Sequence, residues 1–67
     1  MDPVAVVEAA GDLYRLALRY RDAGQVVDAL RVSDEAVRLL EGQGSASPIL
    51  DGARELVHHL RAAQRGA

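Results

Sequence analysis

Apolar residues recur at helical spacing in three separate runs along the chain, and each run carries its own polar face. The first run, from Pro3 to about Ala23, places Val6, Ala9/Ala10, Leu13, Leu16/Ala17 and Tyr20 at intervals of three and four. Asp2-Pro3 opens it as a capping carboxylate followed by proline at the first helical position, where the missing N–H costs nothing. Gly11 interrupts good helix formers at a cost of about 1 kcal/mol relative to alanine and is the one candidate position for a break. Placed at about 100° per residue, Glu8, Asp12, Arg15, Arg19 and Asp22 share one polar sector. Nearly everything else is apolar, over an arc of about 200°, well beyond the stripe a surface helix needs. One flank carries Leu13, Leu16, Ala17 and Tyr20, and the other carries Val7, Tyr14 and Leu18. The first helix is therefore expected to be covered on two sides.

The second run extends from about Gln25 to Glu41. Val26, Leu30, Ser33, Val37 and Leu40 form its seam, with Ala29 and Ala36 beside it for close backbone approach. Val32 and Leu39 sit at the margin as an additional contact line. Asp28–Arg31 and Asp34–Arg38 have the spacing of helix-surface ion pairs, worth a few tenths of a kcal/mol each. Only Gly24 separates this run from the first, and a glycine can take the left-handed conformation that ends a helix. The two runs are expected to form a helical hairpin.

Residues 42–47, glycine-rich and polar, read as the loop before a third helix over 48–65. Ser47-Pro48 supplies its cap and first turn, and Asp51 suits the positive end of the helix dipole. Ile49, Ala53, Leu56, Val57, Leu60 and Ala63 make a single stripe, with Arg54, Glu55, His58, Arg61 and Arg65 turned away. The tail from Arg65 to Ala67 is expected to fray. The fold class follows: all-α, a single three-helix domain spanning residues 1–67, built as an antiparallel hairpin plus a third packing helix.

Composition narrows the function. Sixty-seven residues lie near the lower limit for a self-sustaining core, and Tyr14 and Tyr20 are the only aromatics. Such a thin core favours completion by a partner surface, with a homo-oligomer, a dimer, expected. The net charge of −2 argues against nucleic acid, which rewards a basic face. All eight basic residues are arginine, a pattern that suggests a GC-rich bacterial genome. No apolar run approaches the roughly 20 residues that span a bilayer, and Met1-Asp2-Pro3 does not begin like a signal peptide. No membrane association and a cytoplasmic location are the expectation.

The segment from Ala10 to Gln43 resembles one tetratricopeptide repeat, a degenerate helix–turn–helix pattern of about 34 residues. Leu13, Leu16, Ala17, Tyr20, Gly24, Ala29, Ser33 and Ala36 carry the resemblance in the family's order and spacing. Leu13 stands where the family prefers tryptophan, Ser33 stands where it prefers an aromatic, and no proline closes the repeat. The third helix does not reproduce the pattern, and one repeat cannot bury its own faces. The resemblance implies a protein–protein interaction fold with a concave groove lined by first-helix positions, here Gly11, Tyr14, Leu18, Arg21 and Asp22. Independently of the family, Val7, Tyr14 and Leu18 form the flank that lacks a neighbour within the hairpin. The two sets share Tyr14 and Leu18 and define one surface, which either accepts a partner or is covered by the third helix.

Chemistry is sparse. His58 and His59 are adjacent on a helix and point about 100° apart, so they cannot share one metal ion. Ser33, Ser45 and Ser47 lack the surroundings of an activated nucleophile, and residues 42–45 lack the lysine and the preceding strand of a phosphate loop. No catalytic residue, cofactor or metal is expected. The expected function is a non-enzymatic adaptor binding a protein or peptide along the first-helix flank. The alternatives are a homodimerisation module using that flank and, less favoured, a small transcriptional or regulatory helical protein.

Overall fold

The computed structural model describes residues 2–44 and 47–66; Ser45, Ala46 and the terminal Ala67, which the expected loop and tail include, lie outside the described residues. Three helices follow one another: α1 (Pro3–Asp22), α2 (Val26–Gln43) and α3 (Pro48–Gly66). The all-α, three-helix expectation is met.

Local chemistry explains the ends of each helix. An Asp2 carboxylate oxygen accepts the Val4 N–H at 3.1 Å, and Pro3 takes the first helical position. The Ser47 hydroxyl accepts the Ile49 N–H at 3.2 Å in the same role for α3. Between α1 and α2, Gly24 adopts φ +79°, in the left-handed region. The Gln25 N–H then reaches back to the Tyr20 carbonyl at 2.8 Å, and the Gly24 N–H to that of Arg21 at 3.0 Å. These paired bonds satisfy carbonyls that the helix end would otherwise leave open. A Cβ at Gly24 would meet nothing within 4 Å, so the conformation alone requires glycine. Gly24→Ala is therefore expected to cost about 1–2 kcal/mol, lowering the melting temperature by several degrees in a thermal unfolding experiment followed by circular dichroism.

Two boundaries differ from expectation, at the ends of α2 and α3, whereas α1 is the one long helix expected and runs unbroken through Gly11. A Cβ built there would sit 3.7 Å from Ile49 Cδ1, so the missing side chain lies under an approaching helix and marks no kink. α2 continues past Glu41 to Gln43, because Gly44 (φ +70°) supplies the left-handed stop and Gly42 stays helical. α3 runs on to Gly66 where fraying was expected, although residues 62–66 are exposed.

The middle helix holds the others together. α1 and α3 both pack along α2 and meet each other only briefly. α2 and α3 run antiparallel: Arg54 bonds Glu41 at 2.7 Å, and Arg61 approaches Asp34 at 3.9 Å further along. α1 and α3 run parallel, since Gly11 faces Ile49 and Tyr14 faces Gly52. The core forms two clusters. Ala10, Ala36, Leu40, Leu50 and Ala53 make the first; Ala17, Ala29, Val32, Leu56 and Leu60 make the second. Leu13 and Tyr14 pack against both and join them. Ala10, Ala17, Ala29, Ala36 and Ser33 are completely buried. The Ser33 hydroxyl donates to the Ala29 and Leu30 carbonyls at 2.8 and 3.1 Å, which satisfies it inside the core.

Packing also redistributes the stripes. Val32, expected only at the margin, is buried, whereas Leu16 remains 38% exposed. In α3, Leu50 is buried and Ala63 is exposed. Extending the α1–α3 register sets Asp22, the end of α1, level with Leu60. Ala63 therefore lies beyond the end of α1, and α2 alone does not cover it. The expected pairs Asp28–Arg31 and Asp34–Arg38 form at 2.8 and 3.2 Å, on well-solvated side chains that contribute little to stability.

Candidate interaction surface

The flank of α1 left uncovered by the hairpin becomes one wall of a groove, and α3 supplies the other. Tyr14 is the pivot. Its ring lies so close to Gly52 that a Cβ there would sit 3.1 Å from the tyrosine oxygen. Two shallow depressions follow the line where α1 and α3 approach. The first, about 400 Å³, is lined by Val7, Gly11 and Ile49, with Glu8, Asp12 and Arg15 at its edge. The second, about 360 Å³, lies between Tyr14 and Arg21 on α1 and Gly52, Glu55, Leu56 and His59 on α3.

Of the expected site residues, Val7, Gly11, Tyr14 and Arg21 line these depressions. Val7 is 40% exposed, enough apolar surface to contact a partner. Tyr14 is half-buried and supports the core from its inner face. Leu18 is half-buried and packs against the second core cluster, so most of its apolar surface is already in use. Asp22 is exposed and accepts from the neighbouring Arg21 guanidinium at 3.0 Å, but it lines neither depression. The third helix thus covers part of this flank, at Gly11 and Tyr14, and leaves Val7 and Arg21 open.

Ile49, Gly52 and Leu56 were not expected in the groove. Ile49 and Leu56 belong to the apolar stripe of α3, and nothing in a stripe says which of its residues will border a crevice. Gly52 carries a clearer signal: a glycine inside a helical run, at a point of close approach, invites a large neighbour.

The groove offers van der Waals surface, one tyrosine hydroxyl and a few solvated charges. His59 Nε2 lies 3.5 Å from a Glu55 carboxylate oxygen, both well exposed. The His58 and His59 rings meet edge-on, with centroids 5.9 Å apart. Among the described residues no group of three or more histidine, cysteine, aspartate or glutamate side chains converges as metal ligands would. No described helix is long and apolar enough to cross a membrane.

In comparisons with known proteins, no family model, no curated protein and no solved structure matches this chain.

Proposed function

We propose that the chain is a non-enzymatic protein–protein interaction module, a tetratricopeptide-like adaptor whose partner is a peptide or helix laid along the α1/α3 groove. The observation that carries this reading is the line of two depressions between α1 and α3, the first walled by Val7 and Ile49 and the second bordered by Tyr14 and Arg21. A crevice with apolar walls and polar rims is what a short partner segment requires, because its apolar anchors leave water while its backbone stays solvated at the edge. The small residues at the crossing of α1 and α2, and the turn at Gly24, support the resemblance to the repeat family.

The test uses residues that do not hold the fold. Tyr14 is unsuitable, since removing it would loosen both core clusters. Val7 and Arg21 are exposed. A peptide selected against the purified protein from a displayed random library is expected to lose at least about tenfold in affinity to Val7→Asp and to show altered affinity with Arg21→Glu. Val27→Asp, on the exposed side of α2, should leave binding unchanged. Amide chemical-shift changes clustered at Val27, with none at Val7 or Ile49, would sink the proposal.

A further inference from the structure

The outward side of α1, where Glu8, Asp12 and Arg15 edge the first depression, carries a charge order that the adaptor reading does not use. Glu8, Asp12, Arg15 and Arg19 follow one another at spacings of four, three and four residues, which keeps them in one straight stripe on a helix. All four are exposed. The order is acid, acid, base, base, and inverting the helix about the point between Leu13 and Tyr14 exchanges every acid for a base. Beside the stripe, away from the groove, lie Ala5, Ala9 and Leu16, exposed and without a covering helix. Among the described residues Glu8 and Arg19 have no ion-pair partner, and Asp12 and Arg15 hold only each other, with both side chains more than 70% exposed.

From this charge complementarity we infer that the face of α1 bearing Leu16 and the charged stripe is the contact between two copies of this chain, packed antiparallel about a two-fold axis. A two-fold interface requires that if residue i meets residue j, then j meets i. The stripe meets that condition: Glu8 faces Arg19 of the second copy, Asp12 faces its Arg15, and each pair occurs twice. Leu16 then falls between the levels of Asp12 and Ala9 of the other α1, where the small side chain at Ala9 leaves room for it. The rotation also sets the charged edges of the two helices side by side at the rim, leaving the apolar residues in the centre. A parallel arrangement would place Glu8 on Glu8 and Arg19 on Arg19, so the same charges that favour one orientation oppose the other. The stripe shares its Glu8, Asp12 and Arg15 edge with the first depression, and Leu16 on the far side of the stripe and Val7 inside the depression tell the two surfaces apart.

Oligomeric state measured by sedimentation equilibrium up to about 1 mM protein tests the inference. The wild-type chain is expected to dimerise in low salt, with the association weakened at least about tenfold in 0.5 M NaCl. Leu16→Glu is expected to be monomeric. An all-basic stripe (Glu8→Arg with Asp12→Arg) and an all-acidic stripe (Arg15→Glu with Arg19→Glu) should each be monomeric alone and should form a heterodimer when mixed. Because all five positions are exposed, circular dichroism should confirm that every variant remains helical. A wild-type monomer at all concentrations overturns the inference. So does a dimer that survives both charge variants, or one that is lost with Val7→Asp and kept with Leu16→Glu. The last outcome would assign self-association to the groove and leave peptide binding to be judged separately.

Discussion

Replacing Leu40 with alanine is expected to cost about 2–5 kcal/mol and to leave much of the protein unfolded at 25 °C. Leu40 is 2% exposed, one of the largest side chains to be so thoroughly buried, and it sits in the cluster with Ala10, Ala36, Leu50 and Ala53. Three of those four are alanines, which have no rotatable side chain with which to refill a cavity. Leu13, Tyr14, Val37 and Ile49 at the margin of the cluster are the side chains able to move in, and how far they do so sets where in that range the cost falls. A chain of this size rarely holds more than about 3–5 kcal/mol of stability from a single core. Urea unfolding followed by circular dichroism at 222 nm measures the loss directly. Val27→Ala, at a position 65% exposed, serves as the control and should change stability by no more than about 0.5 kcal/mol. If Leu40→Ala unfolds at nearly the wild-type urea concentration, the first cluster does not hold the fold as described.

The second large effect is expected from the opposite change. Ala17→Leu should destabilise by about 1–3 kcal/mol or more, because it adds volume where none is free. Ala17 is completely buried among Ala29, Val32, Leu56 and Leu60. Leucine and alanine are both strong helix formers, so intrinsic propensity contributes little to the difference and the measurement reports packing. The inserted side chain would have to push α1 away from α2 or force neighbours out of their rotamers. Leu56→Ala in the same molecule should recover part of the loss, since it removes volume from the same cluster. Adding Leu40→Ala instead should make matters worse, since that cavity opens in the other cluster. The same leucine placed at Ala62, which is exposed on α3, should be nearly neutral.

Together these substitutions separate two ways in which the chain is held. Small residues set how closely α1 and α2 approach, and a few leucines fill what remains. The ion pairs matter less. Arg54–Glu41, the shortest contact between charged groups on different helices, is about half exposed, and such pairs contribute about 0–1 kcal/mol.

The division of the surface follows from the same arrangement. A helix with an apolar arc of about 200° needs more than one neighbour, and α1 receives α2 along its length but α3 only around Gly11 and Tyr14. Two strips therefore remain open. One, at Val7, faces the groove; the other, at Leu16, faces away from it. A partner peptide is proposed for the first and a second copy of the chain for the second, and the two are tested with different variants and different readouts.

Much of the fold was legible in the sequence because it depends on local chemistry. Helical spacing, Asp2-Pro3, Gly24 and Ser47-Pro48 act within a few residues of themselves, and a single sequence contains all the information they need. The hairpin, the three helices and the small residues at the crossing belong to this class. The lateral packing of α3 does not. Its stripe could have met α1 along either flank, and the choice depends on which contacts fill space best: Ile49 over Gly11, and Tyr14 over Gly52. That choice buried Leu50 and Val32, left Leu16 and Ala63 in solvent, and turned an uncovered helix face into a groove with two walls. Sequence by itself determined the three helices and the turn between the first two, because capping and periodicity are local. Only the tertiary structure decided which apolar residues remain available to others, because exposure is settled by what the rest of the chain leaves uncovered.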